Sequence, residues 1–170
     1  VSGYSMPFWV DFTGDGQPEL AWLRHGYGTG FHESVCTVYN ISGRGEIISL
    51  VEPWEEMAAS ITVEPQGWED GYIRALVTDS EGQTHTAWLM AQEKGWRECY
   101  YWPGKSGWAS LEIDQERGTL EAVMMFGMEQ PHSFGMYMGE LQTELGYDAE
   151  RGAIVRSGPV FVSVFDKPEA

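Results

Sequence analysis

Apolar and polar residues alternate with a period of two along almost the whole chain, and clusters of Gly, Pro and Asp cut the alternation into short runs. Successive side chains of a strand point to opposite faces, so each run predicts a strand with one face buried. The expected strands are 5–11, 19–25, 33–40, 46–51, 59–64, 72–78, 84–91, 96–102, 107–113, 119–126, 135–145 and 153–165, the last broken near Gly158 and Pro159. Asp79-Ser80-Glu81-Gly82-Gln83 and Asp114-Gln115-Glu116-Arg117-Gly118 have the composition of hairpin turns. Only the segment Pro53 to Ala59 has helix-start character, with proline and acids in a first turn, and it is short. The expected fold is all-β: an antiparallel sandwich or curled meander of about ten strands, with at most one short helix.

An internal echo runs through the pattern. Gly16-Gln17-Pro18-Glu19-Leu20-Ala21-Trp22-Leu23 returns as Gly82-Gln83-Thr84-His85-Thr86-Ala87-Trp88-Leu89, each time after an acidic turn. A decayed duplication explains this, and so do two hairpins that each place Gly at the turn and Trp on a core face. Two copies fall short of the three a repeat fold needs, which disfavours a propeller. With 170 residues, 42% hydrophobic and 14% aromatic, the chain is long enough for one core and short for two, so residues 1–170 read as a single domain.

Charge narrows the function. Twenty-six acids face 10 Lys and Arg, a net charge of −16, which repels phosphate backbones and anionic surfaces. Nucleic acid is thereby excluded, and cations and basic peptides are favoured. No apolar run reaches the length of a membrane span, so no direct membrane insertion is expected within this segment. Val1 opens neither a basic nor an apolar signal region, and the segment reads as trimmed of any signal or anchor. Cys36 and Cys99 sit in strand-like runs; they either pair in an oxidising compartment or are two separate buried thiols acting as small hydrophobes.

One loop departs from ordinary turn chemistry. Asp11-Phe12-Thr13-Gly14-Asp15-Gly16-Gln17-Pro18-Glu19 sets oxygen-bearing side chains at alternate positions around a glycine turn. Asp11, Thr13, Asp15 and Glu19 can converge on one point, and the Gln17 carbonyl adds a fifth oxygen, as a calcium ion with completing waters requires. A plain Asx-type hairpin turn is the alternative, and the neutral hydroxyl of Thr13 brings the site less charge than Asp would. The bidentate Glu of the helix–loop–helix calcium hand would fall on Trp22, which excludes that motif. These residues resemble the D-x-[DNT]-G-D-G-x-x-[DE] loop of FG-GAP and VCBS-type repeats, which lies between two β-strands in secreted and cell-surface proteins. Glu19-Leu20-Ala21-Trp22-Leu23 followed by Gly26-Tyr27-Gly28-Thr29-Gly30 further resembles extracytoplasmic domains of Gram-positive gut bacteria. Some of those are lipoproteins, and others are C-terminal tails of sensor-type membrane metallopeptidases. The resemblance implies an extracytoplasmic address and calcium as the cofactor.

Motifs for catalysis are mostly missing. There is no G-x-S-x-G elbow and no S-x-x-K. Gly104-Lys105-Ser106 ends like a phosphate loop, but Cys99 stands where its first glycine belongs; Gly26 to Gly30 misses the dinucleotide fingerprint, with Phe31 at the third glycine. His32-Glu33 opens like a zinc-protease helix, yet Cys36 replaces the second histidine and the run reads as a strand. His25, His32, His85 and His132 are scattered, and zinc held by His25, His32 and a carboxylate would need the glycine loop to fold back on itself. Acids are so numerous that some carboxylate pair at glycosidase spacing is inevitable. Trp96, Tyr100, Tyr101, Trp102 and Trp108 form a dense aromatic patch, suited to a core, to sugar rings or to a protein partner. Met124, Met125, Met128, Met136 and Met138 read as gap-filling core or as an adaptable groove.

The expected function is a non-enzymatic extracytoplasmic binding or sensor domain with one calcium-type loop, its partner a protein, peptide or carbohydrate. The rival is a secreted carbohydrate-active accessory domain or small hydrolase using a carboxylate pair. An exposed row of Trp and Tyr beside two carboxylates would favour the rival.

Overall fold

The computed structural model describes residues 2–28, 31–91, 93–103, 108–129 and 136–167. Gly104-Lys105-Ser106, His132 and the end of the Gly26–Gly30 run lie outside the described residues. The strands are β1 (Ser2–Val10), β2 (Glu19–Gly28), β3 (Phe31–Asn40), β4 (Glu46–Leu50), β5 (Ile61–Glu69), β6 (Tyr72–Asp79), β7 (Thr84–Met90), β8 (Tyr100–Pro103), β9 (Trp108–Asp114), β10 (Thr119–Glu129), β11 (Met136–Asp148), β12 (Ala153–Arg156) and β13 (Phe161–Val164). The one α-helix among the described residues, α1 (Trp54–Ala59), falls where proline and acids predict it and buries Trp54 and Met57. The all-β expectation holds, with ten strands in one sheet and β5-β6-β7 in a second, antiparallel one.

The larger sheet curls until it meets itself. Antiparallel ladders join β1 to β2, β2 to β3 and β3 to β4, and a short parallel pair joins Ser49 and Leu50 of β4 to Ala153 and Ile154 of β12. From β12 the pairing runs through β11, β10 and β9, and β9 returns to β3 by a second parallel pair, His32 with Trp108 and Glu33 with Ala109. The two parallel pairs are the departure from a purely antiparallel meander. Alternation fixes which face lies inside: on β10, Leu120, Ala122, Met124, Phe126 and Met128 are all buried, against Leu141 and Leu145 of β11. The second sheet adds Ile73, Ala75, Val77, Ala87 and Leu89 to the same core. Met124, Met128 and Met138 are therefore core fillers, the ordinary role for an unbranched thioether side chain.

Two expectations are corrected, and one open alternative is resolved. The strand expected over 96–102 begins only at Tyr100: Gly95 takes a left-handed φ of +86° and starts a 3-10 turn, Trp96–Glu98, closed by a 3.0 Å bond from the Glu98 N–H to the Gly95 carbonyl. In both copies of the echo Ala and Leu, not Trp, face the core; Ala21, Leu23, Ala87 and Leu89 are buried, whereas Trp22 is 38% exposed and the Trp88 ring lies under the Lys167 ammonium at 4.9 Å. Cys36 and Cys99 are separate buried thiols, and burial pushes Cys36 up to about 12.

β11 and β13 approach closely at Gly139. A Cβ built on Gly139 of β11 would lie 2.1 Å from the Ser163 carbonyl oxygen of β13 and 2.9 Å from the Phe126 ring. Gly139→Ala should cost about 1–3 kcal/mol, read as a lower urea midpoint. Gly67→Ala, where the added atom meets nothing within 4 Å, should stay within about 1 kcal/mol of the parent.

Candidate functional site

The loop from Asp11 to Pro18 joins β1 to β2 in a hairpin, so the chain leaves and re-enters the same ladder, Val10 opposite Glu19. Gly14 and Gly16 take φ of +72° and +85°, a conformation that a side chain would strain. Backbone N–H groups then turn inward onto three carboxylates. Asp11 Oδ1 accepts from Gly14 N at 2.8 Å and Oδ2 from Gly16 N at 2.9 Å, while Asp15 Oδ1 accepts from Gln17 N at 2.7 Å. Glu19 is buried, 1% exposed, and its Oε2 accepts from Phe12 N at 2.8 Å and Thr13 N at 3.3 Å; the Thr13 hydroxyl donates to Oε1 at 3.0 Å.

Of the five expected ligands, the fold brings Asp11, Asp15 and Glu19 together, with one oxygen of each within 4.8 Å of the others. Thr13 joins through its bond to Glu19 and keeps lone pairs free for a cation. Gln17, expected to lend its backbone carbonyl, is held beside Asp15 by its N–H. Among the described residues no Lys, Arg or His forms an ion pair with these acids. Charges this close repel by on the order of 1 kcal/mol per pair in bulk water and a few times that near a protein surface. The three carboxylates offer a hard cation oxygen donors only, and their bonds to the following backbone N–H groups are equally those of an Asx-type turn. No protein-family model, curated protein or solved structure matches this chain.

A second constellation lies towards the far end of β2. The β2–β3 hairpin folds back as the zinc alternative required, setting His25 opposite Ser34 and Tyr27 opposite His32. The His25 and His32 rings stack at 5.7 Å, Tyr27 stacks on His32 at 4.5 Å and Tyr4 on His25 at 4.7 Å, and Trp108 meets His32 edge-on at 5.1 Å. A third zinc ligand is missing: among the described residues only Asp11, Asp15 and Glu19 form a metal-competent group of three. His25 Nδ1 instead shares a 2.8 Å hydrogen bond with Ser34 Oγ. Burial, and then the neighbouring His32, lower the pKa of His25, with Glu112 opposing. His85 sits elsewhere, 3.6 Å from Asp79.

Local reading of the chain passed over Glu112 and Glu140, which line a groove with His32 and Trp108. The alternation of Trp108, Ser110 and Glu112 with buried Ala109 and Leu111 was a visible signal that these three share one face. Their meeting with His32 depends on a parallel pairing between distant strands, which no local pattern carries.

Glu19→Ala removes the acceptor of two main-chain N–H groups and should cost about 1–3 kcal/mol for each donor left unpaired, measured by thermal unfolding. For His25 the folded state disfavours the proton, so its contribution is fully present above the unfolded pKa of about 6.5 and is lost as pH falls below it. The melting temperature should therefore drop between about pH 7.5 and 5.5. That drop should be smaller in His25→Gln, and an unchanged pH profile would contradict the assignment.

Proposed function

We propose that this chain is a non-enzymatic, extracytoplasmic binding or sensor domain whose β1–β2 loop is stiffened by a calcium ion. The observation that carries this reading is the convergence of Asp11, Asp15 and Glu19 within 4.8 Å on one hairpin without a cationic partner among the described residues. The resemblance of residues 11–19 to FG-GAP and VCBS-type loops supplies the metal and the address. Asp11, Asp15 and Glu19 would hold the ion, helped by the Thr13 hydroxyl and the Gln17 carbonyl; its double charge would offset their mutual repulsion. No helix of the described residues is long and apolar enough to cross a membrane.

The absence of nucleophile motifs in the sequence supports a role in binding. The Ser34 to His25 hydrogen bond superficially suggests a catalytic dyad, but both residues are buried, at 5% and 8% exposure, where a substrate cannot reach the hydroxyl. One observation favours the carbohydrate-active rival: the row of Tyr4, Tyr27, His32 and Trp108 runs beside Glu112 and Glu140. A glycoside and peptide substrate panel separates the two, since a binding domain turns over none of them. Turnover abolished by Glu112→Gln or Glu140→Gln would establish the hydrolase.

Titration calorimetry should give a calcium dissociation constant in the range of extracellular modules, about 0.1–1 mM. Ten millimolar calcium should then stabilise the fold by about 1–3 kcal/mol. Asp15→Ala should lose most of the affinity. Absence of both heat and stabilisation in the parent protein would leave the loop a purely structural turn.

A further inference from the structure

A groove of about 290 Å³ opens on the face of β9, β10 and β11 turned away from the core. Val123 and Met125 form an apolar floor, and the Trp108 ring, 40% exposed, lines it as well. Glu112 and Glu140 contribute two carboxylates, and His32, whose Nε2 is buried without a hydrogen-bond partner, lines the groove beside them. Elsewhere glutamates meet a cation: Glu56 holds Arg156, Glu69 holds Lys167 and Glu144 holds Arg117. Among the described residues no Lys or Arg forms an ion pair with Glu112 or Glu140.

Charge decides between ligand classes. An anion is repelled by the two carboxylates and by the net charge of −16. A neutral sugar would stack on Trp108 but leave both charges uncompensated. An ammonium on an alkyl stem matches this lining: the stem suits Val123 and Met125, and the charge suits the Trp108 ring and the Glu112 and Glu140 carboxylates, with the Ser110 hydroxyl as a further acceptor. The geometry points to this groove as a receptor for a lysine side chain of a polypeptide. Tyr27 and Tyr4 continue the aromatic row from His32, and Tyr4 is 47% exposed, so a ligand longer than one side chain gains further contact.

This rests on the reading of the chain as a binding domain and makes no use of the calcium loop. The test uses the whole chain, with calorimetry and the Met125 methyl resonance as readouts. Its ligands are a short glycine peptide bearing one lysine, the same peptide with norleucine in its place, and n-butylammonium. The lysine peptide should bind and shift the Met125 methyl, and should bind about tenfold more weakly to Glu112→Gln, Glu140→Gln and Trp108→Leu. Equal binding of the norleucine peptide, or no Met125 shift with any ligand, would overturn the groove. Butylammonium binding as tightly as the peptide would replace the polypeptide with a small amine. Cleavage of the peptide would instead refute the binding-domain reading, leaving recognition at the groove intact.

Discussion

Strand β3 is the constraint on which the rest depends. One of its edges pairs with β2 along its whole length, and the other divides between β4, at Val38 to Asn40, and β9, at His32 and Glu33. That division closes β3, β4, β12, β11, β10 and β9 into a ring of pairings, with β1 and β2 continuing the sheet from the other edge of β3, and the ring encloses Phe126, Leu141, Leu145 and Ile154. It also sets the places of both sites. Glu19 begins β2 and His25 lies six residues on, about 20 Å at strand rise. That is more than two Debye lengths at physiological salt, so the acidic loop and the histidine cluster share a strand while hardly sensing each other's charge.

Glu19 shows how a charge is kept inside without a cation. Its carboxylate is buried and meets two main-chain N–H groups and one hydroxyl from the loop it closes. Removing a charge from water is costly unless donors replace the lost hydration, and these three do so. The loop geometry thus belongs to the protein itself, and any cation would find the oxygens already gathered.

What the sequence revealed follows from how local each feature is. The acidic loop was legible because its parts lie within nine consecutive residues, and the strands because alternation is a nearest-neighbour property. The 3-10 turn at Trp96 was not, since one left-handed glycine redirected a run of aromatics that otherwise reads as a strand. The groove at Trp108 was hidden for a different reason: its parts come from β3, β9, β10 and β11, and cross-strand register is settled by tertiary packing. A further echo also went unread. Asp114-Gln115-Glu116-Arg117-Gly118 and Asp148-Ala149-Glu150-Arg151-Gly152 form the same turn, the Asp Oδ1 accepting from the second and third following N–H groups before a left-handed Gly.

Cys36 occupies the stretch of β3 between its two outer neighbours, 8% exposed and with its proton held by burial. A thiol in that state is almost wholly un-ionised at neutral pH, and only the thiolate reacts. Burial therefore holds the Cys36 sulfur in its protonated, less reactive form while β3 stays paired. The rate at which an electrophile captures Cys36, resolved from that of the second buried thiol, Cys99, would time the opening of the ring.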